Sequence, residues 1–235
     1  TDANPFGVIG EFSAVVDWGD GAVSNASIAA LPGGGYAVNA SHRYVRFGTY
    51  NVQVTVDSVG GSNDVVARSI TVADAALTGF TTPIQAREGM PFNGLVGSFR
   101  DANNGGDAGE FTASITWGDG TVTPGTINTG PGGIYNVVGA HTYDEGTFPL
   151  AVDITSIGGS TERITAQVVV PDAPLTPLPA FLSPSEGLPS TGTYASFLDG
   201  NPLSLAGDFR ALIDWGDGSA PELGTITSVG GRFDV

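Results

Sequence analysis

Between Glu11 and Trp18 the chain alternates strictly. Phe12, Ala14, Val16 and Trp18 fall on one side of an extended strand, and Ser13, Val15 and Asp17 on the other. The alternation returns at Phe111, Ala113, Ile115 and Trp117, and again at Phe209, Ala211, Ile213 and Trp215. Each run predicts a half-buried strand that closes on an inward tryptophan. A second kind of strand follows: Tyr50, Val52, Val54 and Val56 alternate with Asn51, Gln53 and Thr55, and Phe148, Leu150, Val152 and Ile154 repeat that pattern. Glycine-rich breaks (LPGGG, SVGGS, TGPGG, SIGGS) separate these runs, and no stretch sustains a helical period.

The tryptophans lie 99 and then 98 positions apart, inside EFSAVVDWGDG, EFTASITWGDG and DFRALIDWGDG. Other residues keep the spacing: Asp2, Asp101 and Asp199 with Asn4, Asn103 and Asn201; Glu88 and Glu186; His42 and His141; Asp74 and Asp172. A period of about a hundred residues is too long for a solenoid repeat and suits an independent domain. The expected organisation is the C-terminal part of a first repeat over 1–76, a complete repeat over 77–174 and the N-terminal part of a third over 175–235. The chain reads as a window on a longer tandem array. In the complete copy the pattern predicts seven strands: A near 80–87, B near 92–99, C over 111–117, D near 121–128, E over 134–143, F over 147–156 and G over 161–170. The fold class is therefore all-β, a tandem array of immunoglobulin-like sandwiches with a buried tryptophan on strand C.

In order along each copy come WGDG, a Gly-Gly-x-Tyr-x-Val strand, His-x-Tyr and Gly-Thr-aromatic, as in HTYDEGTFPLAVDI. This series resembles the polycystic-kidney-disease (PKD) type of Ig-like domain found in tandem in large secreted bacterial proteins. The likeness extends over essentially the whole chain, although the usual family stretch has one more residue before Gly-Asp-Gly. It implies an extracellular or cell-surface location and a structural or accessory role.

Composition narrows the chemistry. Eight basic residues, all arginine, stand against 24 acids, for a net charge of −16 and a pI near 4.1. Phosphate binding needs clustered Lys and Arg, so no nucleic-acid partner is expected. The absence of cysteine excludes disulfides, thiolate zinc sites and cysteine nucleophiles. No run of about 18 apolar residues predicts a membrane span, and no basic-then-apolar leader is visible at Thr1.

Catalysis finds little support. Ser41 precedes His42 but Ala140 precedes His141, and no GxSxG elbow occurs. His42, His141, Tyr44 and Tyr143 are read as structural, the tyrosines fixing backbone at the E–F corner. In DWGDG, Gly19 and Gly21 can take positive φ and Asp20 can bond local N–H groups, so a turn is preferred to a metal loop. No enzyme is expected. Asn25-Ala26-Ser27 and Asn39-Ala40-Ser41 fit the glycosylation pattern but occur only in the first copy.

Strand direction brings other acids together. In a sandwich of this kind the A–B, C–D and E–F turns share one pole with the outgoing linker, and the B–C loop of the next repeat faces that pole. Glu88, Asp144, Glu145 and Asp172 would then gather there, beside Asp119, with Asp199 and Asn201 opposite. The arrangement resembles the calcium clusters between successive cadherin domains, and Ca2+ takes 6–8 oxygen ligands. The first junction is expected to be weaker, because Val45 and Arg46 stand where Asp144 and Glu145 stand in the second. The plain alternative is that Asp-x-Asn and Glu-Gly recur because turns recur.

The leading functional expectation is a non-catalytic segment of a surface stalk, adhesin or filament, giving reach and stiffness, with calcium as an optional stiffener. Its partners would be neighbouring repeats, other copies in a filament or a surface receptor. The alternative is a spacer or substrate-binding accessory in a secreted hydrolase, which exposed aromatics on one sheet face would favour.

Overall fold

The computed structural model of the chain describes residues 8–235. Asp2 and Asn4, the first members of the recurring Asp-x-Asn pair, lie outside them. Regular structure is almost entirely strand. β1 is Phe12–Asp17, β2 Val23–Ala30, β3 Tyr36–Asn39, β4 Gly48–Ser58 and β5 Asn63–Val72. β6 is Leu77–Thr81, β7 Pro91–Asp101, β8 Phe111–Thr116, β9 Val122–Thr129, β10 Ile134–Thr142, β11 Gly146–Ser156 and β12 Thr161–Val170. β13 is Leu175–Leu178, β14 Ser196–Asp199, β15 Ala211–Ile213, β16 Glu222–Gly224, β17 Thr227–Val229 and β18 Arg232–Asp234.

The chain forms two compact units. Of the described residues, one comprises 8–78, Arg100–Phe111 and Thr155–Thr161; the other comprises Gly79–Phe99, Thr112–Ile154 and Glu162–Val235. In the first, β1–β5 make an antiparallel sheet in the order β3-β2-β1-β4-β5. In the second lies most of the core of the middle repeat. Val96, Phe99, Ile115, Trp117, Val137 and Val152 have no exposed surface. Burying Trp117 removes on the order of 200 Å² from water, about 5 kcal/mol at 25 cal/mol/Å².

The middle repeat has strand order β12-β11-β8-β9-β10-β7-β6. Strand β9 belongs to both layers: Val122–Gly125 pairs with β8, while Thr126–Thr129 pairs with β10. β2 divides in the same way between β1 and β3. In the third repeat the two halves are separate strands, β16 on β15 and β17 on β18. This shared architecture is an all-β immunoglobulin-like sandwich, repeated in tandem.

Two expectations need correction. Strand A was placed near 80–87, but β6 spans Leu77–Thr81. Pro83 stands two positions beyond its end and has no N–H to donate to a ladder. The third tryptophan was expected inward, yet Trp215 is 41% exposed, against 0% for Trp117. Trp18 and Trp117 each lie flat against a histidine ring, whereas Trp215, among the described residues, meets Tyr194 edge-on, with Nε1 3.4 Å from Glu222.

WGDG closes the β8 strand with a turn. Gly118 takes φ +93°, and a Cβ there would stand 2.7 Å from both N and O of Pro149 in β11. Gly120 has φ +97° but open space around it. Gly118→Ala should therefore lower the stability of the middle repeat by about 3 kcal/mol, and Gly120→Ala by about 1 kcal/mol. Urea unfolding followed by tryptophan fluorescence measures both. Equal losses would show that the approach of β11 is not what requires the first glycine.

Candidate functional site

The WGDG turn is held by the same set of contacts in two repeats. Trp117 stacks on His141 with centroids 4.8 Å apart and planes 14° from parallel; Trp18 stacks on His42 at 4.9 Å and 16°. His141 Nε2 lies 2.8 Å from Asp119 Oδ2, and His42 Nε2 lies 2.7 Å from Asp20 Oδ2. The tyrosine hydroxyls donate to the tryptophan carbonyls, Tyr44 to Trp18 at 2.9 Å and Tyr143 to Trp117 at 3.2 Å. Each indole N–H finds a hydroxyl on the next strand, Ser24 or Thr123. Burial, with the Asp119 charge nearby, pushes the Tyr143 hydroxyl up to about 12. The tyrosine corner was legible from the sequence. The His–Asp pair was not, because its members are 22 residues apart and each already had an adequate local role.

The end of the middle repeat carries a buried carboxylate. Glu88 is 7% exposed. Its Oε2 accepts from the backbone N–H of Ala173 in the linker at 2.6 Å, and its Oε1 accepts from Asn201 Nδ2 of the third repeat, also at 2.6 Å. Asn201 is 6% exposed, and its own Oδ1 accepts from Leu203 N at 2.9 Å. Asp199 Oδ1 accepts from Asn201 N at 3.2 Å, which shapes the loop that presents the amide. Gly89 leaves the room needed. Its φ is +64°, and a Cβ there would overlap Asn201 Oδ1 and stand 3.0 Å from Pro202 Cδ. Gly89 N donates to Tyr143 O at 2.8 Å, which ties this corner to the aromatic box.

Where the first repeat meets the middle one, other residues serve. Ala102 N donates to Ala76 O at 3.0 Å, matching Gly200 N to Pro174 O at 3.3 Å in the later linker. Asn103 Nδ2 donates to Val45 O at 2.8 Å, and Arg46 Nη1 lies 2.6 Å from Glu110 Oε1. Val45 and Arg46, expected to weaken this junction, thus each engage the next repeat. Asp74 Oδ2 accepts from Ser160 N at 3.0 Å. Burial works to raise the Asp74 carboxyl, but hydrogen bonds from Ser156, Ser160 and Ala75 outweigh it and hold the pKa below the usual range. Burial raises that of Asp101, to which the Asp74 and Glu110 charges add.

Of the six residues proposed as calcium ligands, the structure joins Glu88 directly to Asn201 and places Asp199 beside that pair. Asp144, Glu145 and Asp172 are exposed and make no hydrogen bond or ion pair among the described residues. Among the described residues, no three His, Cys, Asp or Glu side chains gather so as to hold a metal ion. As arranged, both oxygens of Glu88 face N–H donors, whereas Ca2+ needs 6–8 oxygens turned toward a common point. The donor set does not fit the ion. No helix among the described residues is long and apolar enough to cross a membrane.

No protein-family profile matches the chain. No curated protein matches it either. Several solved structures do. Extracellular cadherin domains 3–6 of protocadherin gamma B2 cover 80% of this chain at 12% identity and TM-score 0.36, and the corresponding region of protocadherin gammaB7 covers 83% at 17% and 0.37. Fibronectin(III)-like modules of Clostridium thermocellum CbhA cover 68% at 12% identity and TM-score 0.28. The chain spans about half the length of these protocadherin chains (48% and 49%) and 77% of the Clostridium chain.

The turn acid gives a pH test. At Asp119 burial acts to raise the pKa, but hydrogen bonds from Thr121 and His141 prevail and lower it. A depressed carboxylate contributes stability that is present above the unfolded value of about 3.9 and is lost as pH falls through the lower folded value. Thermal melts between pH 7 and pH 2.5 should show a smaller acid loss in Asp119→Asn than in the unaltered chain. An identical acid loss in both would refute a stabilising role for this carboxylate.

Proposed function

We propose that this chain is a run of non-catalytic structural repeats from an extracellular stalk, adhesin or filament, in which consecutive sandwiches are held end to end by bonds from N–H groups to carboxylates. The observation that carries the reading is Glu88. Its buried carboxylate spends one oxygen on the linker and the other on the third repeat. Hydrogen bonds to a charged group are worth about 1.5–3 kcal/mol each, enough to hold two sandwiches in one relative arrangement.

Further support comes from what the recurring residues do. The histidines that could have suggested catalysis stack on tryptophans and bond turn aspartates. The aromatic rings of the middle repeat that a carbohydrate-binding accessory would expose, Trp117, Tyr135 and Tyr143, are buried. The extracellular location rests on the PKD resemblance.

Calcium bridging and direct bonding differ in what they require, which makes them separable. The chain has no cysteine, so spin labels can be placed at will on cysteines introduced at exposed Thr126 and Ser228. Direct bonding predicts a narrow distance distribution that is the same in excess calcium and in chelator. Glu88→Ala leaves Asn201 Nδ2 and Ala173 N without their acceptor, weakens the junction by about 2–4 kcal/mol and broadens the distribution. A distribution already as broad in the unaltered chain, or one that narrows only with calcium, would overturn the proposal.

A further inference from the structure

The turn that follows the long strand is built identically in two repeats. In the first, Ser58 N donates to Ser62 O at 2.8 Å, Gly61 N to Ser58 O at 2.8 Å, and Gly60 N to Ser58 Oγ at 3.2 Å. In the middle repeat, Ser156 N donates to Ser160 O at 2.8 Å, Gly159 N to Ser156 O at 3.0 Å, and Gly158 N to Ser156 Oγ at 3.2 Å. Each turn is also pinned at the same point, Val59 N to Glu11 O and Ile157 N to Glu110 O, both at 2.8 Å.

Among the described residues, only the second of these turns has an occupant. The Asp74 carboxylate, from the linker that enters the middle repeat, lies over Gly158 and accepts from Ser160 N at 3.0 Å. A Cβ on Gly158 would stand 2.6 and 2.7 Å from the two Asp74 oxygens, so this glycine is the floor of the site. In the first repeat Ser62 N has no partner among the described residues. Gly60, the counterpart of Gly158, has no positive φ to explain it, and a Cβ there would meet nothing closer than Ser58 Oγ at 3.7 Å. Among the described residues, nothing requires glycine at position 60.

We propose that the Ser58–Ser62 turn is a docking site for an aspartate carboxylate, supplied by the linker of a further repeat of this kind joined ahead of the first. Ser62 N and the serine hydroxyls bind the carboxylate, and Gly60 leaves the space for it. Ser-x-Gly-Gly-Ser is then a receptor for the preceding linker as well as a turn. The inference concerns the entrance of a repeat, and it stands or falls apart from the Glu88 bonds at the exit of the middle one.

Placing a second copy of Val72–Phe99 ahead of Thr1 tests it, because the repeat spacing sets the copied aspartate in register with this turn. Hydrogen exchange reads individual amides. The Ser62 amide should exchange about tenfold more slowly in the extended chain than in the same chain with the copied aspartate changed to Ala. Gly60→Ala should remove that protection in the extended chain, yet leave Ser62 exchange unaltered in the chain without the extension. In the unextended chain, Asp74→Ala should speed exchange at Ser160 by a similar factor. Ser62 exchange that ignores the copied aspartate, or protection that survives Gly60→Ala, would overturn the proposal. An added segment that does not dock on the first repeat would also count against it.

Discussion

With 24 carboxylates, eight arginines and no lysine, an acid that this chain buries can seldom be compensated by a cation and must be met by N–H groups. An uncompensated buried carboxylate is far too costly to persist. The recurring acids therefore sit where backbone amides converge. Asp20, Asp119 and Asp217 each accept from the N–H two residues on, within the WGDG turn. Asp107 caps a 3-10 turn through Gly109 N. Asp74 and Glu88 do the same across longer sequence separations, and their donors lie in the next repeat or its linker. One chemical habit thus serves turns inside a repeat and joints between repeats.

This habit explains which features could be read from the residues alone. The repeat and the sandwich were legible, because apolar alternation and glycine spacing follow directly from strand geometry. Grouping Glu88, Asp199 and Asn201 at one junction also needed only strand order. What the acids bond was beyond reach. A carboxylate looks the same in sequence whether it faces a cation or an amide, and the deciding partners include backbone N–H groups, which carry no residue signature. The division of β9 between two layers was hidden for a related reason. Its half-exposed pattern alternates from Val122 to Asn128, straight across the step from Gly125 to Thr126 where its partner changes, so nothing marks that point.

The aromatic box carries this chemistry inward. Asp119 holds His141 flat against Trp117, Tyr143 bonds the tryptophan carbonyl, and Gly89 bonds the Tyr143 carbonyl beside Glu88. A continuous path of packed rings and hydrogen bonds thus links the core tryptophan to the corner that receives Asn201. Such a path gives the exposed end of a sandwich the rigidity of its interior, which a loop on its own would lack.

The two linkers differ in how much backbone restriction accompanies their side-chain bonds. Between β12 and β13 the chain reads Pro171-Asp172-Ala173-Pro174; between β5 and β6 it reads Ala73-Asp74-Ala75-Ala76. Proline fixes φ and lowers the entropy of the unfolded linker, worth about 0.4–1 kcal/mol at each compatible position. The alanine linker has no such restriction, and it is in this one that Asp74 is bonded at both ends, to Ala75 N and to Ser160 N, with Arg46 and Glu110 paired across the same junction. Both joints thus rest on side-chain bonds, Asp74 to Ser160 N at the alanine linker and Glu88 to Ala173 N at the proline linker, and in the second the prolines add backbone restriction.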